Sequence, residues 1–469
     1  MIRLRLGKGR KYAVRKEKAF GGQVFLVFAF VASTVCASPE ATIGSLTRRR
    51  DSDTVKIPYF ISGEPAVVTV DIKIDGVSLP DCAQTNLSGD VNCLVGVGHH
   101  VCRWLPSPGF SYSESALSVE LTAWPTNRPP MYMAVSLTNS AESVRYYSSA
   151  GRLPAPIGDA KWKTSHLLLR KIPSANVEWT MGSPADELGH NIYHYEDQRK
   201  IRLSRDFYIG IYPLTVGQFR NMQETIGFDS NVSSTYYLTK NRIPVTDDLP
   251  RGGLGYTTLR GSGAANDGDP EPSPDIPIWP SSGHESIVPD CFLGVARAKF
   301  ALTFDLPSEA EWEFACRAGT TAAFNSDEAN NADADRCGPL GWHIGNSQIE
   351  NPATNAPHSV GQKAPNRYGL YDMHGSIREW CLDWFAPVTA SQYVTADAKG
   401  VLTDPKGAAQ YHQSAEPGRK LKTGYRTLRG GSYLSATNGC RSASRTGYAA
   451  VYNLDDGGVR LWLPARAER

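Results

Sequence analysis

No two cysteines stand in a CxxC pair, although the 469-residue chain holds nine of them, and that absence argues against a thiolate zinc site. Apart from the N-terminus, no long apolar run is present, and even the longest falls short of the roughly 20 residues that a bilayer-spanning helix needs. An excess of one charge is also missing. The 49 basic and 47 acidic residues leave a net charge of +2, and no basic stripe stands out beyond Lys18, which argues against a nucleic-acid-binding surface. Nor is the chain acidic. What is there, 41% hydrophobic and 20% charged residues, is the composition of an ordinary globular protein of two or three domains. Glycine (43) and proline (31) are somewhat high, which predicts many turns and short elements.

The first 37 residues read as an export leader. Eight Lys/Arg residues lie between Arg3 and Lys18, and a largely apolar run from Val24 to Cys36 follows. Val35 and Ala37 supply small residues at the minus-three and minus-one positions, so cleavage after Ala37 is expected, with an uncleaved anchor as the alternative. The expectation is an exported protein, whether secreted, periplasmic or on the cell surface, with no membrane span once the leader is removed. Cleavage leaves an even number of cysteines, which favours pairing in an oxidising compartment. The pairing of Cys82, Cys93, Cys102, Cys291, Cys337 and Cys381 stays open.

Residues 38–150 carry strand patterns. AVVTVDIKIDGV from Ala66 and SALSVELTAW from Ser115 alternate apolar and polar positions, and MYMAVSL from Met131 adds another run, which together predict an all-β sandwich. His99 and His100 are adjacent, so on a strand they would face opposite ways, and a solvated loop is the expectation there. Arg152 to Trp162 is proline-rich and reads as a linker over 151–165. A second domain follows over 166–466. In it Thr215 is a candidate N-cap for a helix that buries Val216, Phe219 and Met222, and 239–287 reads as a surface loop insertion. Its acidic stretch, Asn266 to Asp275, has three prolines and no EF-hand spacing, so a solvated loop is expected there too.

A better-defined helix starts at Ser308, which with Glu311 makes a capping-box pattern and with Gly319 a stop signal. Trp312 and Cys316 share one face, and Glu309, Glu311 and Glu313 read as dipole and cap partners rather than acid–base pairs. The aromatic stretch Asn366 to Trp384, with Trp380 and Trp384 at helical i,i+4 spacing, is the candidate centre of the domain. His190, His194 and Glu196 form an HxxxHxE pattern that resembles the iron-binding pair of the sulfoxide synthases of ergothioneine synthesis. Two histidines so spaced converge only on a helix.

In chain order, VEWTMGSP at Val177, FYIGIYPLTVGQF at Phe207, LPSEAEWEFACRAGT at Leu306, the Asn366–Trp384 stretch, LRGGSY at Leu428 and CRSASR at Cys440 resemble the sulfatase-modifying-factor family, which includes the formylglycine-generating enzymes. The resemblance covers roughly Leu168 to Pro464 and implies an α+β domain with little regular structure, related to C-type lectins. In that family two cysteines beyond GGSY bind Cu(I) and oxidise a substrate cysteine, as soft thiolates suit that ion. Here the first position is Ser435, and Cys440 follows five residues later at the spacing of the second. With one thiol, copper is not expected. The resemblance further implies a Cys316–Cys440 disulfide and a Ca²⁺ site built by His374, Gly375, Ile377 and Glu379. The function expected is therefore a non-catalytic recognition or scaffolding module with a protein or glycan ligand. The alternatives are a formylglycine-generating oxidase and an iron enzyme using His190 and His194.

Overall fold

Alternate residues of Val55–Ser62 are buried, and with Val68, Val70 and Ile72 of Ala66–Ile74 and Cys102 and Trp104 of Gly98–Trp104 they form one core. This is the period-two pattern of strands that each bury one face. In the computed structural model these strands lie in two sheets. One runs Glu40–Ile43, Val55–Ser62, Gly98–Trp104, Leu87–Gly89; the other pairs Ala66–Ile74 with Val77–Ser78, Leu94–Val95 and Leu117–Pro125. The structure describes residues 38–467 except 49–52, 81–85, 140–143, 192, 229–239, 241–242, 262–282, 326–333, 351–352, 389–395 and 408–424. The expected leader, Cys82 and the acidic stretch Asn266–Asp275 lie outside the described residues. His99 and His100 sit on a strand instead of a loop: His99 packs on Phe60, and His100 stacks on Tyr59.

The sandwich stops short of residue 150. Tyr132–Ser136 pairs antiparallel with Val144–Tyr147 on one side and with His166–Ile172 on the other, and the sheet continues through Phe207–Gly210 to Trp462–Pro464. A boundary at 150 therefore falls inside one five-stranded sheet. The reason is visible in Tyr132–Ser136, where Met133, Ala134 and Val135 are all buried: a strand covered on both faces reads as a continuous apolar run, and only a central position supplies both covers. The linker is docked as well. Trp162 is fully buried, and the Gln218 amide donates to its carbonyl at 2.7 Å.

The Val216–Ile226 helix carries a complete capping box between Thr215 and Gln218, buries Phe219 and Met222, and ends at Gly227 in the left-handed region. The 239–287 segment is not wholly a surface loop. Within it the short helix Tyr256–Arg260 buries Tyr256 and Leu259, and Arg260 donates to buried Asp305 at 2.9 Å. The helix Glu309–Arg317 has the Ser308/Glu311 capping box, and every one of its residues is buried. Arg378–Trp384 is a strand, not a helix; it pairs antiparallel with Tyr425–Arg429 and parallel with Gly457–Gly458. Even separations repeat a face of a strand too, so the four-residue tryptophan spacing does not distinguish the two. The α+β expectation holds, with few helices and many short strands.

Candidate functional site

Charged side chains, rather than apolar contact alone, hold the centre of the second domain together. Glu309 takes Arg445 at 2.6 Å and Arg429 at 3.3 Å. Glu313 takes Arg317 at 2.8 Å, Arg429, and the Gly182 amide at 2.8 Å. Asp383 accepts the Glu309 amide at 2.7 Å; burial and then the neighbouring Glu309 charge push its pKa up to about 7. Glu309 and Glu313 thus have structural partners; Glu311 is held by the Ser308 amide and His284 and also lines a small pocket with Arg205, Asp404 and Lys406. Arg429, Arg445 and Arg460 were not singled out from the sequence, and an arginine three or more elements away from its glutamate leaves no local pattern.

The GGSY turn is set by Gly430 and Gly431, both at positive φ (88° and 69°); a β-carbon on Gly431 would stand 2.7 Å from the Cys440 sulfur. After the turn, Ser435 Oγ accepts the Ser432 amide at 3.0 Å and Arg378 Nη2 at 3.2 Å. Ser432 Oγ donates to Asp456 Oδ2 at 2.6 Å, and Arg378 pairs with the same carboxylate. Ser435 is therefore a clamped hydroxyl. Asp456 is bound to Ser432 and Arg378, and among the described residues no carboxylate or imidazole hydrogen-bonds the Ser435 hydroxyl to activate it as a nucleophile. Arg378 and Asp456 were missing from the sequence reading as partners of Ser435, although Arg378 occupies a position where the resembling family has tryptophan.

Cys440 is fully buried at the end of the Thr437–Cys440 turn, and its sulfur donates to the Ala436 carbonyl at 3.6 Å. Cys316 and Cys440, the expected bridge partners, are both thiols in the structure, as is Cys337. Cys316 lies 3.8 Å from Ser442 Oγ and 3.8 Å from His374 Nε2, so a serine stands across from it where a bridge would need a sulfur. Cys440 instead packs beside Cys337 in one buried cluster. His374 accepts the Asn325 amide at Nε2 (3.2 Å) and donates from Nδ1 to the Cys440 carbonyl (2.8 Å). Burial lowers its pKa to about 4, so it is neutral at physiological pH and ties the two cysteine-bearing segments together without charge.

The residues expected to hold calcium are brought together but do not fit that ion. Glu379, the carboxylate of the set, is 1% exposed, takes Arg460 at 2.8 Å, and accepts the Trp312 indole N–H at 2.6 Å. A divalent cation would have to share this carboxylate with a guanidinium in contact, and that repulsion opposes binding. Added calcium at millimolar concentration is expected to leave the melting temperature unchanged. A concentration-dependent rise would show that a folded-state site exists.

The iron set is not assembled either. His190 lies in irregular chain and His194 in a turn at φ 61°. His190 Nδ1 is 2.8 Å from Ser183 Oγ, His194 Nδ1 is 2.8 Å from Asp197, and Glu196 is bound by Arg441 at 2.8 Å. Both imidazoles also face Asp197, His190 Nε2 at 3.8 Å and His194 Nδ1 at 2.8 Å, but without a helix to align them these three form no metal-holding cluster among the described residues.

Comparison with known proteins follows the same lines. The formylglycine-generating enzyme of Streptomyces coelicolor is 34% identical over 142 residues, which span 29% of this chain and 38% of that enzyme. That of Thermomonospora curvata is 30% identical over 155 residues, spanning 30% and 43%. The matches thus cover less than half the length of these relatives. Among solved structures, PvdO from Pseudomonas aeruginosa aligns with 18% identity and a TM-score of 0.41 over 64% of this chain and 94% of that one. A family model described as a sulfatase-modifying factor enzyme 1-like domain matches residues 176–464, well over half of the chain and the whole of the buried arginine–carboxylate centre, and the chain belongs to that family.

Proposed function

We propose that this chain is an exported, non-catalytic member of its family, serving as a recognition or scaffolding module for a protein or glycan ligand. The observation that carries the reading is Ser435, a hydroxyl clamped by Ser432 and Arg378 where the resembling oxidases place a thiolate. A protonated oxygen is a poor ligand for Cu(I), which soft sulfur donors select. Exposed Tyr448, on the strand Arg445–Ala449, and exposed Tyr452 pack edge to face, an aromatic surface of the kind that sugars and peptides stack on. Incubation of the purified protein with copper, oxygen and a Cys-x-Pro-x-Arg peptide is expected to give no aldehyde by mass spectrometry. Aldehyde formation that vanished in Cys440→Ala would overturn the reading.

A second reading, a formylglycine-generating oxidase, has one observation in its favour: Cys337 puts another thiol beside Cys440. The same peptide assay decides between the two, since a working thiol pair must yield product and a structural one must not.

A further inference from the structure

We infer that Cys337 and Cys440 form a disulfide, and that this bridge, rather than one to Cys316, fixes the loop that carries Ser435. The two residues come from elements that the chain brings together only on folding: the short helix Ala334–Cys337 and the turn Thr437–Cys440. Both side chains are fully buried in a small apolar cluster with Ala323 and Phe324, against which Leu340 packs. Within that cluster the two thiols are packed as neighbours. The site offers this pair little else: Cys440 has the Ala436 carbonyl at 3.6 Å, whereas Cys316 is placed against Ser442 and His374.

The neighbouring Cys440 thiol and then burial push the Cys337 pKa well up, so in the folded protein it is a poor nucleophile and a poor metal ligand. Oxidation therefore belongs to folding, before the cluster closes. With a low-molecular-weight disulfide such as oxidised glutathione, the two S–H bonds break and one S–S bond forms. The two protons and two electrons pass to the reagent, which leaves as two thiols. The bridge would close a loop of roughly 100 residues, long enough for a large effect on the unfolded chain. It would also hold the Thr437–Cys440 turn against the rest of the domain while Ser435 is clamped from the other side by Arg378.

The test uses the full chain refolded in a glutathione redox buffer, alkylated under denaturing conditions and digested without reduction. The expected product is a single linked pair of peptides containing Cys337 and Cys440, lighter by two hydrogens than their sum and separated by reductant, with Cys316 alkylated. Alkylation of both Cys337 and Cys440, or linkage of Cys440 to Cys316 or to any other cysteine, would overturn the inference. Should Cys337→Ser fail to fold, Cys316→Ser supplies the control: it must leave the link intact, and loss of the link in that variant would count equally against it. Stoichiometric copper held by the thiol pair in place of the bridge would also refute it. The outcome is separate from the non-catalytic reading, which the aldehyde assay judges on its own.

Discussion

Replacing Arg460 with methionine is expected to lower the stability of the second domain by about 3–5 kcal/mol, the usual cost of leaving one member of a buried ion pair without its partner. Arg460 is fully buried and serves three segments at once: it donates to Glu379 at 2.8 Å, to the Gly210 carbonyl at 3.0 Å and to the Tyr371 carbonyl at 2.8 Å. Methionine fills much of the space but leaves the carboxylate charged in a site from which water is excluded. Adding Glu379→Gln to the same chain removes that charge, and the double variant is expected to recover a measurable part of the loss. Urea midpoints for the two single variants and the double variant give the coupling energy. Equal loss in Arg460→Met and in the double variant would mean that packing, not the orphaned charge, sets the cost.

The second large effect is a dependence on pH centred on His284. Its ring stacks on Trp462 with centroids 3.7 Å apart, and its two nitrogens face Asp305 at 2.9 Å and Glu311 at 3.3 Å. Burial opposes its charge, but the Glu311 and Asp305 carboxylates outweigh that and raise its pKa from 6.5 to about 9. A folded value above the unfolded one means that protonation favours the fold. The contribution is full below pH 6.5 and is lost as pH rises through about 9, an effect on the order of 3 kcal/mol. Asp305 works in the other direction. Burial raises its pKa, but Arg260, His284 and Arg297 hold it well below the usual carboxylate range, so its contribution is present above the unfolded value and is lost only in strong acid. Comparison of the parent chain with His284→Gln isolates the histidine from other groups that titrate at high pH. The stability gap between them is expected to be widest near pH 6 and to shrink towards pH 10. A gap that stayed constant across that range would show that the imidazole is not charged in the folded protein.

What was legible in the sequence was local. The Ser308/Glu311 capping box and the Thr215 N-cap are written within four residues, because a helix end is satisfied by its own neighbours, and both appear as read, with Gln218 completing the second box. The strands Ala66–Ile74 and Leu117–Pro125 of the sandwich were legible for the same reason, since alternation is set by one strand's own two faces. The rest depended on partners far along the chain. Nothing near Tyr132 announces that it will pair with Arg170 rather than stay in the sandwich, and nothing near Cys440 announces Cys337. At the candidate site, Ser435 could be placed by its spacing from GGSY, but its clamp could not, because Arg378 and Asp456 arrive from segments 57 and 24 residues away from their serine partners. His284 was read as part of a surface loop, because buried charge is recognisable only once Asp305 and Glu311 stand beside it.

The sheet that runs from Val144–Tyr147 through Tyr132–Ser136, His166–Ile172 and Phe207–Gly210 to Trp462–Pro464 has a consequence for the order of events during synthesis. Its first strands leave the ribosome some 300 residues before its last one, at a pace of ~5–20 residues per second. From its own emergence until then Phe207–Gly210 has a bare edge, and the backbone groups of Tyr208 and Ile209 wait for Leu463 and Trp462. An unpaired edge of this kind recruits other chains when it persists. A ribosome stalled between Phe207 and Trp462 would therefore display the stickiest surface this protein ever presents, and chaperone contact should be heaviest across that window and fall once Pro464 has emerged.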